Sequence, residues 1–516
     1  MNDNKISKNS IVAKFAVPIS FLILFFLAAN FTDCDLVTFW KRRNHLTDLV
    51  VDMIPPDFSY IQKILLPLFY TIQMSVTGTV LGIFFALVLS PFGAANLGFP
   101  AVIRRILRIV IQILRSFPAL ILALTATFLF GLGTFAGTFA ITLYTFAIMT
   151  KLTYEDASAA DVKAYQALRA MGVSKYVAYI HGILPEIIPG FLTNALYLLE
   201  TNVRHSSILG YVGAGGIGLL LNEKISWLEY DKVGTILLML FLTVCVIEYF
   251  SRYLAALIRK EHTIKKEQAR LLLLFLAALF LICTFTLSLP DFSRTSPQTL
   301  RNMFAGFLQP DWSFFFSAEK DGLGYLLLET VCIAFIGTVI GAIVSAPLAF
   351  LNTKRFVPAP VSFLFNLVIM VIRSVPFLVY GLIFIRVSGP GAFTGVLTLA
   401  VCSIGLLTKR FTEALDALDP RPYHALLAMG VRPLPAICHS VLPQLKPVFT
   451  SIILYRFDVN IREASVLGLV GAGGIGAPLI FSMNQYAWEK AGAIMLGLIL
   501  LVWFIDMVSE KIGAGN

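Results

Sequence analysis

Long apolar stretches separated by short polar segments dominate the chain, and they fall into two runs with the same order. Stretches at 11–31, 64–92, 106–131, 133–151, 187–209 and 233–257 make the first run. Stretches at 271–289, 323–350, 359–387, 390–408, 447–467 and 491–509 make the second. At 1.5 Å per residue, about 20 residues of helix cross the ~30 Å hydrocarbon layer. Lipid offers no partner to a bare N–H or C=O, which leaves the helix as the spanning element. The pattern predicts an all-α polytopic membrane protein with about 12 transmembrane helices. Gly131, Gly133 and Gly137 part the third and fourth stretches of the first run, and Gly389-Pro390-Gly391 part those of the second.

The two runs are copies of one unit. Arg115-Ser116-Phe117-Pro118 returns as Arg373-Ser374-Val375-Pro376, and Ala170-Met171-Gly172-Val173 as Ala428-Met429-Gly430-Val431. Leu184-Pro185 returns as Leu442-Pro443, and the seven residues from Val212 to Gly218 as Val470 to Gly476. All four pairs lie 258 residues apart. Upstream, Gly78-Thr79 pairs with Gly337-Thr338 at 259, and Asp57 with Asp311 at 254. The expected organisation is a first unit over 1–260 (core 65–255), a basic linker at 261–270, and a second unit over 271–516 (core 323–510). Six spans per unit give both the same orientation, a parallel repeat.

Composition agrees. Of 516 residues 58% are hydrophobic and 14% charged, too few polar residues to coat a soluble protein of this size. The net charge of +10 sits largely in short loops. Arg104, Arg105 and Arg108, Lys354 and Arg355, and Arg259, Lys260, Lys265, Lys266 and Arg270 all become cytoplasmic if both termini are cytoplasmic. Lys41, Arg42 and Arg43 run against this rule, in a first outer loop that also carries Asp33, Asp35, Asp48, Asp52 and Asp57. No basic face interleaved with aromatics speaks for nucleic acid. The six cysteines form no CxxC pair and read as small apolar residues, so no metal site is expected. The first stretch shows no A-x-A cleavage site, and both leading stretches read as retained helices.

Gly213-Ala214-Gly215-Gly216-Ile217-Gly218 and its twin from Gly471 satisfy G-x-G-x-x-G. A dinucleotide site needs a strand before the glycines and a helix after them, and no βαβ pattern exists here. The better reading of Gly213, Gly215, Gly216, Gly218, Gly471, Gly473, Gly474 and Gly476 is a tight turn at the outer end of span five. Its backbone N–H groups are of the kind that face an anion. The chain has no phosphate-binding P-loop and no zinc-protease motif, so no catalytic residue is expected in it.

Span five carries Glu200, Asn202 and Arg204, and its twin Asp458, Asn460 and Arg462. A charge inside a span costs about 2.5–3.5 kcal/mol on insertion scales, so it is paired or functional. Glu200 and Arg204, four apart, share a helix face; Asn202 points to the opposite one. Two readings stay open: a self-neutralising ion pair, or an arginine from each unit lining a pathway for an anion. A long, moderately polar, helix-prone loop, Glu155 to Pro185 and Glu413 to Pro443, is written twice, and it reads either as a surface that meets a cytosolic partner or as a connector lying on the surface.

These residues resemble the permease subunits of type I ABC importers. In that family a cytoplasmic coupling helix reads E-A-A-x-x-x-G followed by I-x-L-P. Here Gln166-Ala167-Leu168 precedes Gly172 and Leu184-Pro185 follows; in the second unit His424-Ala425-Leu426 precedes Gly430 and Leu442-Pro443 follows. Glu155 and Glu413 are candidates to replace the missing glutamate. The combination N-[VI]-R-x-x-[SA]-x-L-G-x-V-G-A-G-G-I-G, from Asn202 and again from Asn460, is similar to phosphonate-type permeases. R-S-x-P and the glycine motif also resemble methionine-type (MetI-like) permeases. The resemblance implies two fused MetI-like transmembrane domains in the cell membrane that import phosphonate, phosphite or phosphate. It also implies two copies of a separate ABC ATPase subunit holding ATP and Mg, an extracytoplasmic substrate-binding protein, and no cofactor in this chain. An amino-acid-type permease and an ion-coupled secondary transporter are the alternatives.

Overall fold

The structure is a computed structural model that describes residues 19–258, 266–290, 297–317 and 319–514, and every regular element among them is helical. The first core runs through Ile61–Gly93, Ala101–Ser116, Ala119–Phe130, Thr134–Ala159, Lys163–Ala170, Lys175–Gly182, Leu184–Leu209, Ile217–Ser226 and Tyr230–Ile258. The second repeats it as Leu323–Asn352, Ala359–Ser374, Phe377–Ser388, Ala392–Ala417, Arg421–Ala428, Leu442–Leu467, Gly476–Asn484 and Trp488–Ala514. Between Arg421–Ala428 and Leu442–Leu467, the second core has a four-residue helix, Pro433–Ala436, running into a π-helical turn, Ile437–Val441.

Seven of the described helices are long and apolar enough to cross a membrane, and three bent pairs raise the number to as many as 10. Two shorter apolar helices, Ile19–Phe31 and Leu276–Phe285, belong to the leading stretches. Residues 11–18 of the first expected span lie outside the described residues. The stretches 106–131 and 359–387, expected as single spans, are each broken. The chain turns by 96° between Ala101–Ser116 and Ala119–Phe130, and by 87° between Ala359–Ser374 and Phe377–Ser388. Pro118 and Pro376 explain the breaks: proline restricts the residue before it to extended backbone, and Phe117 and Val375 have ψ of 129° and 124°.

In each core the first long helix packs against the fourth stretch through small residues. A Cβ on Gly82 would come within 2.7 Å of Thr145 Cβ, and one on Gly341 within 2.4 Å of Ser403 Cβ. Only glycine lets these backbones approach so closely.

The compact units do not follow the sequence halves. One comprises Leu49–Phe304, and the other joins Ala305–Asn516 to the chain before Leu49. The cores 65–255 and 323–510 each lie inside one unit, while the leading helices are exchanged. Phe21 meets Phe335 at 5.5 Å and Phe31 meets Tyr325 at 4.9 Å between ring centroids. Reciprocally, the fully buried Gln73 donates to Cys283 O at 3.0 Å and to Thr286 Oγ1 at 2.8 Å. Thr134 and Ser288 hydroxyls meet at 3.0 Å. A buried amide in a span must find its partner on whichever helix covers it, and here that helix belongs to the other copy in sequence.

Candidate functional site

The Leu184–Leu209 helix and its twin Leu442–Leu467 hold the polar residues on two opposed faces. Asn202 is fully buried; its Nδ2 donates to Thr79 Oγ1 at 2.8 Å and Thr145 Oγ1 at 2.7 Å. Asn460 donates to Thr338 Oγ1 at 2.7 Å and Ser403 Oγ at 2.9 Å, and is equally buried. Each asparagine ties three helices of its own core together. Of the residues expected along a pathway, these two stand in interhelical clamps with no exposed surface.

The charged pairs occupy the other face. Arg204 Nη2 lies 2.9 Å from Glu200 Oε1, with the side chains 14% and 7% exposed, and Arg462 pairs in the same way with Asp458. The pairing is the i,i+4 contact that the spacing predicts. Arg204 Nη1 is buried and has no hydrogen-bond partner. A guanidinium carries five donors, so one carboxylate leaves capacity for a further acceptor.

The second copy holds another ion pair on this helix. Arg456 bonds Glu463 at 2.9 and 3.4 Å, and its Nε donates to Ser403 Oγ at 3.1 Å. Ser403 therefore joins this pair to the Asn460 clamp. The matching positions in the first copy are Leu198 and His205, with His205 set edge-on to Tyr144 at 5.1 Å. Sequence reasoning misses Arg456 and Glu463. The available signal is two opposite charges seven residues apart on one face of an apolar helix.

The glycine motif folds as a tight turn. Gly213, Gly215 and Gly216 have φ of 81°, 78° and 80°, and Gly471, Gly473 and Gly474 have 79°, 76° and 76°. These are left-handed values that side chains disfavour. Gly218 and Gly476 lie in the first turn of the short helices that follow. Three N–H groups of the turns, the kind expected to face an anion, donate instead within their own core. Ile217 N–H donates to Thr71 Oγ1 at 2.9 Å, Ile475 N–H to Thr330 Oγ1 at 3.1 Å, and Gly474 N–H to Glu329 Oε2 at 3.0 Å.

The long loop is a pair of short helices with a buried inner face. Tyr165, Tyr179, Ala178 and Ile183 pack on Ala94, Leu97 and Ala157, and Tyr165 OH donates to Leu97 O at 2.6 Å. Burial of its ring raises the Tyr165 pKa. The outer face shows Gln166, Ala167 and Gly172, with Met171 70% exposed; its twin shows His424, Ala425 and Gly430, with Met429 71% exposed. Gly172 and Gly430 have φ of 84° and 83°, and nothing lies within 4 Å of where a Cβ would stand, so they end their helices on an open surface. Leu184, Pro185, Leu442 and Pro443 begin the following long helices, part-exposed or exposed. Glu155 and Glu413 are exposed and pair with Lys151 at 3.6 Å and Arg410 at 3.0 Å.

Beyond the glycine turn of the first core, Lys224 lies 3.0 Å from Glu223 and 2.9 Å from Glu229, which also holds Lys232 at 2.9 Å. The hydrogen bond from Lys224 leads the effects that hold Glu229 below the usual carboxylate range. Among the described residues no group of three or more His, Cys, Asp or Glu is placed to hold a metal.

Comparison with known proteins bears on this architecture. The model of the family "binding-protein-dependent transport system inner membrane component" matches twice, over residues 78–260 and 337–512. The chain is 27% identical over 474 residues to the phosphate-import permease protein PhnE of Mycolicibacterium smegmatis, covering 90% of this chain and 88% of that protein. It is 36% identical over 184 residues to the phosphite transport system permease protein PtxC of Stutzerimonas stutzeri, covering 36% of this chain and 67% of that protein. Among solved structures, an inward-facing methionine ABC transporter matches with a TM-score of 0.36 and 22% identity, covering 39% of this chain and 99% of that one.

Proposed function

The chain belongs to the binding-protein-dependent transport system inner membrane components, and on that premise we propose that it forms the membrane pathway of an ATP-driven importer for a phosphorus oxyanion. The observation that carries the substrate class is the similarity over nine-tenths of the chain to a phosphate-import permease, joined by a phosphite permease. The part-buried guanidinium groups of Arg204 and Arg462, one in each core, suit that class. Arg204 keeps a donor beyond its carboxylate partner, and a phosphoryl oxygen is a strong acceptor for it. Arg462 stands in the same relation to Asp458 in the second core.

In this reading two copies of an ABC ATPase dock on the two open surfaces around Gly172 and Gly430, with Met171 and Met429 as apolar contacts. An extracytoplasmic binding protein delivers the oxyanion to the opposite side, and the glycine turns act as its gates. Arg204, Arg462, Glu200 and Asp458 form the polar lining, and Asn202 and Asn460 hold the helices that carry it. ATP and Mg are held by the ATPase, and this chain supplies passage and coupling. Both termini lie in the cytoplasm. ATP-driven closure of the ATPases moves the two surfaces and switches access between sides.

The test is uptake in proteoliposomes holding this chain together with an ABC ATPase and a binding protein from a phosphorus-oxyanion import system. ATP-dependent accumulation of phosphonate, phosphite or phosphate is expected. Accumulation of methionine alone, or uptake without ATP, would overturn the proposal.

A further inference from the structure

The two glycine turns are held by different chemistry. In the second copy Gly474 N–H donates to the carboxylate of Glu329 at 3.0 Å, and the next N–H, of Ile475, to Thr330 at 3.1 Å. Two successive backbone donors of the turn are thus gripped by two successive side chains of the Leu323–Asn352 helix. In the first copy the threonine grip recurs, from Ile217 to Thr71 at 2.9 Å. The position of Glu329 is taken there by Tyr70, an aromatic ring with no carboxylate. The carboxyl oxygen of Glu329 gives this turn a second side-chain acceptor beside the threonine, and a backbone N–H that has a partner is held more firmly than one without. The second turn is therefore the more firmly held.

The gripping helix is itself pinned. Tyr325, one helical turn before Glu329, packs on Phe31 at 4.9 Å, so the exchanged leading helix braces the turn of helix that carries the carboxylate. Leu66, the position matching Tyr325 in the first copy, has no ring to make this aromatic contact.

We propose that Glu329 is a positioning residue that latches the glycine turn of the second copy, making the two turns unequal: the first opens readily and the second is held. The inference rests on reading these turns as gates, while its geometric part stands on the hydrogen bond alone. Leucine at 329 removes the acceptor and keeps the bulk. Glutamine keeps an acceptor oxygen and removes the charge.

The experiment is hydrogen–deuterium exchange by mass spectrometry on the full chain in nanodiscs, following peptides over 471–478 and 213–220. In the unmodified protein the 471–478 region exchanges more slowly than the 213–220 region. Glu329→Leu is expected to speed exchange over 471–478 about tenfold and to leave 213–220 unchanged, while Glu329→Gln stays near the unmodified rate. Unchanged exchange in Glu329→Leu overturns the latch. Equal acceleration of both regions also overturns it, since that marks general loosening, and so does a Gln variant as fast as the Leu variant. Oxyanion uptake is measured on the same preparations. Absent uptake by the unmodified protein, with the exchange pattern as expected, counts against the transport reading and leaves the latch standing.

Discussion

Arg456 and Glu463 form a two-point ion pair inside a span, at the positions where the first copy carries Leu198 and His205. The copies have solved the same packing site in two ways. Breaking a buried pair by removing one member leaves a stranded charge, which typically costs about 3–5 kcal/mol. Replacing both members by a well-packed neutral pair is often close to neutral. Arg456→Leu alone is therefore expected to lower the thermal midpoint of the detergent-solubilised protein sharply. Arg456→Leu with Glu463→His, the first copy's own solution, is expected to recover most of the loss. A double variant as unstable as the single would show that the pair does more than neutralise itself.

The asparagine clamps should behave as structure. Asn202→Ala and Asn460→Ala each remove two hydrogen bonds between helices, worth about 1 kcal/mol each in a membrane. Thermal unfolding should shift by the same sign in both, with any residual uptake keeping its preference among oxyanions. A changed preference would return the asparagines to the pathway.

The arginines should behave differently. Arg204→Gln combined with Glu200→Gln, and likewise Arg462→Gln with Asp458→Asn, removes a neutral pair without stranding a charge. Uptake is expected to fall about tenfold or more, the order of one lost charge-assisted hydrogen bond, while the yield of folded protein holds. Unchanged uptake would reduce the pairs to internal neutralisation.

Gly172→Val and Gly430→Val place a side chain in the left-handed region, at about 1–2 kcal/mol of local strain, with no clash to confuse the result. The expected outcome is ATP hydrolysis that no longer tracks uptake. Normal coupling in both variants would move the docking surface elsewhere.

Acid should loosen the Lys224 network. Glu229 is held below its unfolded pKa by Lys224, so its contribution is present above the unfolded value and lost as pH falls through the lower folded one. Hydrogen exchange around 223–232 is expected to rise as the pH falls below the ordinary glutamate range, and Glu229→Gln should remove that dependence. A pH-independent exchange rate in the unmodified protein would contradict the linkage.

What is legible in the sequence follows the range of each interaction. Glu200 and Arg204 are one turn apart, so spacing alone reports their pairing, as it does the opposed direction of Asn202. Arg456 and Glu463 stay hidden because repetition points to features shared by both copies, and these are not shared. The breaks at Phe117-Pro118 and Val375-Pro376 are written in the prolines, but continuous apolarity masks them. The bond from Gln73 to Cys283 spans 210 residues, and no local pattern reports such a distance. The same holds for Glu329, whose partner lies 145 residues away on a turn that is complete as a local motif.

The exchange of leading helices sets an order of events during synthesis. The first core, from Ile61 to Ile258, leaves the ribosome before the Lys266–Phe285 helix that satisfies Gln73 exists. The helix ending at Phe31 waits still longer, until Tyr325 and Phe335 have been made. Neither unit can be finished while the chain is half translated. Expressed alone, either sequence half would carry a helix with nowhere to dock and a core missing its cover. Co-expressed as two separate polypeptides, the halves should associate by clasping each other's first helix. That makes the covalent join a guarantee of one-to-one pairing rather than the source of the attachment.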